Sequence, residues 1–312
     1  MKQSRMLECR SISLYRRRSG GKTVRQALIG SLFICLIAGL FLVSLPCPST
    51  AQDSYIQSPV RPFSLKIVDE VQTSGSDQRA ADFEDNYLAA MRQWGNLDLT
   101  APSFTQLTST VSLDPSKISL ATQYDTRVYF VGDNTSNRNT LGFNTAGGGI
   151  TEGNPRLIFP NASESDLAIS IPLLNIHIPL RTLNEPLLPG DFVNLGRLPA
   201  GTQLDFFLIA DGARGGRDVF STRASANPDG LNHALVFAQP GSPYLFVGFE
   251  DLYGDANGNF KDLLFAVDIG IANITALTNM PEPSTLFILG SFVSLVIYRK
   301  YTLLAEHRSD IT

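Results

Sequence analysis

The chain has 312 residues, 43% of them hydrophobic, and a formal net charge of −4. All three cysteines, Cys9, Cys35 and Cys47, fall within the first fifty residues, so the chain beyond Cys47 can have no disulfide, thiolate metal site or cysteine nucleophile. Setting aside residues 1–51 and those after Ser284 leaves 14 basic and 26 acidic side chains, a net charge near −12. Such a surface repels nucleic acid and anionic lipid and attracts divalent cations.

The first element is a leader. Lys2, Arg5, Arg10, Arg16, Arg17, Arg18, Lys22 and Arg25 form a positive region ahead of an apolar run over Ala27–Leu45. Ser49, Thr50 and Ala51 supply the small residues a signal peptidase needs, which places cleavage after Ala51 and makes residues 1–51 a signal peptide. The apolar run exceeds the ~7–15 residues of a usual signal core, so an uncleaved anchor stays as the alternative.

Residues 52–104 read as a polar, proline-bearing linker with one strand-like run at Phe63–Val68 and one helix over 77–94. In that helix Phe83, Tyr87, Ala90, Met91 and Trp94 recur at steps of three and four, and Gly95 closes it. From residue 105 the period changes to short runs rich in Val, Ile, Leu, Phe and Tyr. They are Arg127–Gly132, Arg156–Phe159, Leu167–Ile171, Ile176–Leu180, Gln203–Ala210, Ala234–Ala238, Tyr244–Glu250 and Leu263–Ile269. Gly, Pro, Asn and Asp separate them, which predicts an all-β, antiparallel sandwich or jelly roll over residues 105–276. The roughly 230 residues between the two ends are enough for one sizeable core.

Chemistry concentrates between the last two strands. Glu250, Asp251, Asp255, Asn257, Asn259 and Asp262 offer oxygen ligands along one hairpin-like loop. Calcium takes six to eight oxygens, so these residues predict a calcium site. It is not an EF-hand: Gly258 is the fourth residue of that loop instead of the sixth, and Ala266 stands where a bidentate Glu belongs. A solvated turn whose Asn and Asp side chains bond their own backbone is the competing reading.

The same stretch resembles an uncharacterised domain of exported cyanobacterial and proteobacterial proteins. Its ending pattern is G-[FWY]-E-D-L, a Gly-rich stretch, then D-x-D-[YF]-N-D-[LV]-x-[FV]. Gly248, Phe249, Glu250, Asp251, Leu252, Asp262, Leu263 and Phe265 match it. Upstream, Leu198–Thr202 before Phe206–Gly212, Asn232-His233, and Val128–Gly132 with Arg138-Asn139 also fit, so the resemblance spans about residues 105–272. It implies a calcium-associated surface or adhesin-type protein without established catalytic activity. Asn257, Asn259 and Lys261 stand where the family usually carries Asp, Asp and Asn, which weakens a cation site; Asp255 compensates in part.

Enzymatic readings find little support. No Gly-x-Ser-x-Gly, P-loop, dinucleotide fingerprint or His-Glu-x-x-His occurs. His233 reads as a bonded structural residue beside a strand, with base or ligand as the alternative, His177 reads as a strand residue, and a carboxylate pair such as Glu250 with Asp211 is the one hydrolytic possibility. A carbohydrate-binding module needs an exposed aromatic platform, for which Tyr244, Tyr253 and Phe260 are the nearest residues. Asp211–Asp218, with three glycines and two arginines, reads as a mobile loop and a ligand rim.

The last element, residues 277–312, opens after a brief tether with Pro281-Glu282-Pro283, continues as an apolar segment to Ile297, and meets Tyr298-Arg299-Lys300. The arrangement resembles a PEP-CTERM sorting signal, which implies cutting near Pro283 by the membrane protease exosortase in a Gram-negative cell. The mixed tail from Tyr301 departs from that pattern, and an ordinary membrane anchor is the alternative. The expected route is therefore the inner membrane, engaged transiently through both ends, then the outer surface or matrix. Signal peptidase, exosortase and extracellular polysaccharide are the expected partners, and nucleic acid is not one.

Overall fold

The computed structural model describes residues 56–146, 149–171, 176–254 and 258–279. The expected cleavage site at Ala51 and the motif Pro281, Glu282 and Pro283 lie outside them. Among the described residues the chain is mostly β, every strand ladder is antiparallel, and no helix is long and apolar enough to cross a membrane.

The strands are β1 (Val111–Leu113), β2 (Tyr124–Gly132), β3 (Thr140–Asn144), β4 (Arg156–Phe159), β5 (Ala168–Ile171) and β6 (Ile176–Pro179). They continue as β7 (Phe192–Leu198), β8 (Asp205–Ile209), β9 (Val219–Ser221), β10 (Ala234–Ala238), β11 (Tyr244–Phe249) and β12 (Leu263–Asp268). Six of them form one sheet in the order β1-β10-β11-β12-β2-β7, four form another in the order β4-β3-β8-β9, and β5 pairs with β6 alone.

Alternation within the strands sends side chains to two separate cores. Phe130, Val247, Phe249, Phe265 and Val267 of the six-stranded sheet share one apolar cluster with Leu141, Phe143, Phe206, Leu208 and Phe220 of the four-stranded sheet. Phe206 and Phe265 meet edge to face at 5.2 Å. On the opposite face, Tyr129, Phe246, Leu264 and Ala266 pack against Phe83, Leu88, Met91 and Phe104 from the helical segment. Burying each large side chain of these cores contributes about 1.5–3 kcal/mol. The outer face of the four-stranded sheet is covered in turn, where Leu157, Phe207 and Ile209 meet Leu65 and Ile67.

The expected helix at 77–94 is a helical segment in three parts, α1 (Gln78–Phe83), a π-helical turn (Glu84–Leu88) and α2 (Ala89–Gly95). Asp77 caps it by accepting from the Ala80 N–H at 2.9 Å, and it also receives both Nη groups of Arg127 at 2.7 and 2.8 Å. Arg127 rises from β2 among buried side chains, with Phe192 4.0 Å beneath its guanidinium. One carboxylate thus fixes both the start of the helix and its seat on the sheet. Arg79 adds a second tie, to Asp268 at the end of β12.

Two expectations need correction. Phe63–Val68 is not a strand: Pro62–Ser64 is a 3-10 turn with Phe63 at positive φ, and a single parallel bridge joins Ile67 to Leu157. Phe63 and Ser64 both have positive φ, which no strand can hold. The tether expected at Leu277–Met280 begins inside a helix, α4 (Ile271–Thr278), because Ile274 and Leu277 are drawn into the core. A short helix, α3 (Phe104–Thr108), and β1, β3, β7 and β9 were not foreseen.

The β5–β6 pair stands apart from these cores. Ile169 faces Ile178 and Ile171 faces Ile176, and all four are 39–48% exposed.

The Arg127 guanidinium holds the Asp77 carboxyl down at about 2, against 3.8 for the ordinary group. Its stabilising effect is therefore complete above pH 3.8 and disappears as pH falls through about 2. Asp77→Asn should lower stability by about 1–2 kcal/mol at pH 7 and remove this part of the acid dependence. Urea melts of wild type and variant across pH 2–7 check it; parallel curves would exclude this role for the pair.

Candidate functional site

The two most apolar strands of the six-stranded sheet both end in acids. β11 terminates at Phe249, opposite Leu263 of β12, so Glu250 and Asp262 occupy the next facing positions. Both continue the alternation that points Phe246 and Leu264 toward the helical segment. The chain then bends, the Asp251 N–H donates to Asp262 Oδ2 at 3.0 Å, and the Asp251 carboxylate joins the group. Glu250, Asp251 and Asp262 are all buried, and one oxygen from each lies within 4.8 Å of the others.

The loop that closes the site is held by a close approach. A Cβ on Gly248 would come 2.3 Å from the Phe260 carbonyl oxygen, so the returning chain can cross β11 only where there is no side chain. Phe260 takes a positive φ of 55° there and tucks its ring into the helix-facing core. That turn also aims the Asn259 N–H at Glu250 Oε2, 3.3 Å away.

Electrostatically the group is strained. Burial first, then the Glu250 and Asp251 carboxylates beside it, push the Asp262 carboxyl well above the usual carboxylate range. Asp251 Oδ2 accepts from Asn139 Nδ2 at 2.7 Å. Glu250 is only 1% exposed, and its Oε1 has no hydrogen-bond partner among the described residues. A buried, unpartnered carboxylate oxygen next to two other carboxyls is costly unless a cation or a proton compensates it. The donor set is hard oxygen alone, which suits calcium better than a thiolate- or imidazole-seeking metal.

The predicted ligands divide into three classes. Glu250, Asp251 and Asp262 come together. Asn259 contributes its N–H, while its Oδ1 accepts from the Lys261 N–H at 2.9 Å, the local turn bond of the competing reading. Asp255 and Asn257 lie outside the described residues.

Two neighbours were not foreseen as part of the site. Asn139, just before β3, links Asp251 to the Asp211 N–H through its two amide ends, at 2.7 and 2.9 Å. Asp229 accepts from the Gly254 N–H at 3.0 Å and sits 2.9 Å from His233 Nε2. Burial opposes its ionisation, but the Gly254 and Leu231 N–H groups and His233 hold it down at about 2. His233 stacks on Phe220 with ring centres 3.9 Å apart and lies behind Glu250 as a packed strand neighbour. The spacing of Asp229 and His233, four residues apart, is the one sequence signal that could have marked that pair.

The other residues weighed for function fall elsewhere. Tyr244 and Phe260 are core residues and only Tyr253, at 58%, is exposed, so the three do not form an aromatic platform. The Asp211–Asp218 loop contains a 3-10 turn, Gly212–Arg214, and its ends are joined by the Ala210 N–H to the Asp218 carbonyl.

A polar cleft of about 700 Å³ opens near the end of β2, between Asp133–Arg138 and Ser163–Asp166, with Arg92 and Glu185 at its sides. Arg214 reaches its wall, so the loop expected as a ligand rim does border a cleft. Burial pushes the Asp133 carboxyl up to about 7.

Residues 198–270 match the family model of a domain of unknown function, DUF4114. The match contains β8 to β12 and all three clustered carboxylates, and it is shorter than the 105–272 stretch of the sequence resemblance. No curated protein and no solved structure matches the chain.

Gly248→Ala forces the Phe260 carbonyl off β11, a backbone displacement that should cost about 1–3 kcal/mol. Chemical denaturation of the full-length chain measures this; an unchanged midpoint would mean that the loop does not depend on the close approach.

Proposed function

We propose that the chain is an exported, exosortase-sorted protein of the cell surface or extracellular matrix, built on a β-sandwich that binds calcium without catalysis. Glu250 Oε1 is the observation that carries calcium: a buried carboxylate oxygen with no partner among the described residues, beside Asp251 and Asp262. Two sheets sharing one core support the sandwich reading. The burial of Glu250 also speaks against glycoside hydrolysis by this residue, since an acid or nucleophile must reach the scissile bond. The route rests on sequence, on the basic and apolar leader ending at Ala51 and on Pro281-Glu282-Pro283 ahead of an apolar segment and Arg299-Lys300.

The cation's role here is structural. It binds the folded arrangement alone, so stability rises by about RT ln(1 + [L]/Kd), ~2.7 kcal/mol at a hundredfold excess over Kd. With Asn257, Asn259 and Lys261 in place of stronger ligands, affinity falls in the ~10⁻⁴–10⁻³ M range of extracellular modules. Asp262→Asn and Glu250→Gln should each abolish the calcium-induced rise in melting temperature, while Asn134→Ala should retain it. Without calcium, Asp262→Asn should itself stabilise the protein, because it removes one of three crowded carboxyls. Melting curves of the full-length chain that coincide in millimolar calcium and in chelator would leave the solvated-turn reading in possession.

Sorting has its own measurement. The mature protein from a strain with working exosortase should begin near Gln52 and end near Pro283 by intact mass. A species that keeps Ser284–Thr312 in that strain would overturn it.

A further inference from the structure

We propose that the polar cleft at the end of β2 is a binding site for a neutral saccharide. Every side chain that lines it is polar or charged, so it offers no surface to a lipid tail or an aromatic ligand. Its volume of about 700 Å³ lies within the ~300–1,000 Å³ of small-ligand sites.

Charge chooses among polar ligands. Arg92 holds Glu164 in a two-bond pair at 2.9 and 3.0 Å, and Arg138 holds Glu185 at 2.9 Å. Arg214 donates to the Ser136 carbonyl at 3.1 Å and is paired with Asp211. Each guanidinium already has a counter-charge, so an anionic ligand would have to displace a carboxylate. Glu164 and Glu185 are committed to those pairs and Asp133 Oδ1 to the Glu164 N–H, while exposed Asp166 adds an acceptor at the rim. Paired guanidinium and carboxylate groups side by side present alternating donors and acceptors, the pattern that vicinal sugar hydroxyls complete in both senses.

The walls are set before any ligand arrives. Gly132 lets the Arg92–Glu164 pair settle onto β2, where a Cβ would come 3.0 Å from Glu164 Oε2. Arg92 also donates to the Val131 carbonyl, and the Glu164 N–H donates to Asp133 Oδ1 at 3.1 Å. Exposed Asn134 and Ser136 form the free rim, able to bond hydroxyls without disturbing those ties. With no ring to stack on a pyranose face, recognition falls to hydroxyl geometry, and affinity is modest. Apart from Arg214, the lining residues precede residue 198, where the DUF4114 match begins. The site therefore stands independently of the calcium reading.

The test is a titration of full-length protein, held in a zwitterionic detergent without a sugar headgroup, by saturation-transfer NMR. The probes are maltotriose, cellotriose and the N-acetylglucosamine trimer, with trigalacturonate and calcium as charged competitors. At least one neutral trisaccharide should bind, equally in calcium and in chelator. Asn134→Ala/Ser136→Ala should weaken it about tenfold at unchanged melting temperature, as expected for two lost hydrogen bonds. Asp262→Asn should leave saccharide binding intact while losing the calcium response, so the two readings fail separately. Failure of all three neutral probes, preference for trigalacturonate, displacement of bound sugar by calcium, or affinity unchanged in the double variant would each overturn the proposal.

Discussion

The six-stranded sheet is buried on both faces, and most other features derive from that constraint. A sheet with one wet face alternates apolar and polar residues; one covered on both sides needs apolar side chains throughout. β11 and β12 meet the demand almost completely, with Asp268 the one acid, placed at the last position of β12. Charge is displaced to the strand ends. There Arg79 finds Asp268, and Glu250 and Asp262 are left facing each other, while Arg127, the one cation inside β2, is neutralised by Asp77. The carboxylate group is thus a product of the packing: the sheet ends, and its acids remain partly inside it.

The double burial also decided what could be read in the sequence. β4 and β10 have the bounds that their apolar runs predict, and β2, β11 and β12 were recognisable for the same reason. β3 and β7 were not, because Thr-Leu-Gly-Phe-Asn and Phe-Val-Asn-Leu-Gly-Arg-Leu carry the Asn and Gly that mark turns. Their place in a ladder comes from partners distant in sequence. α4 was hidden similarly, since Ile, Thr and Asn are indifferent helix formers and only the core contacts of Ile274 and Leu277 explain it. At the site, Glu250, Asp251 and Asp262 were legible because they flank two conspicuous strands. Asn139 was invisible as a partner of Asp251, from which 112 residues separate it. Whether Tyr244 and Phe260 could serve a platform is not legible in the sequence, because ring exposure depends on which face the strand turns outward.

The two polar regions are near neighbours with opposite characters. Leu264 pairs with Gly132, so the acids before β12 and the cleft after β2 lie at the same end of the sheet. The carboxylate group is buried, and its Glu250 Oε1 lacks a partner among the described residues. The cleft is open, and its guanidinium groups are paired. Between them, Arg138 and Asn139 both bond Asp211, the first through its backbone N–H and the second by accepting from the Asp211 backbone. Asp211 has a positive φ of 48°, a strained conformation for a residue with a side chain, held by these bonds and by the 3-10 turn after it.

The tie between Arg79 and Asp268 bears on the order in which the chain can assemble. The two residues are 189 positions apart, whereas β10, β11 and β12 are consecutive neighbours whose connections have 5 and 13 residues. Local pairing closes small loops and is entropically cheap; docking the helical segment closes a loop that takes in nearly the whole body. A chain emerging N-terminus first, from a ribosome or across a membrane, presents its helical segment long before the surface that receives it exists. Phe83, Met91 and Trp94 must wait, uncovered, until the last strands arrive. The part synthesised first is the part completed last.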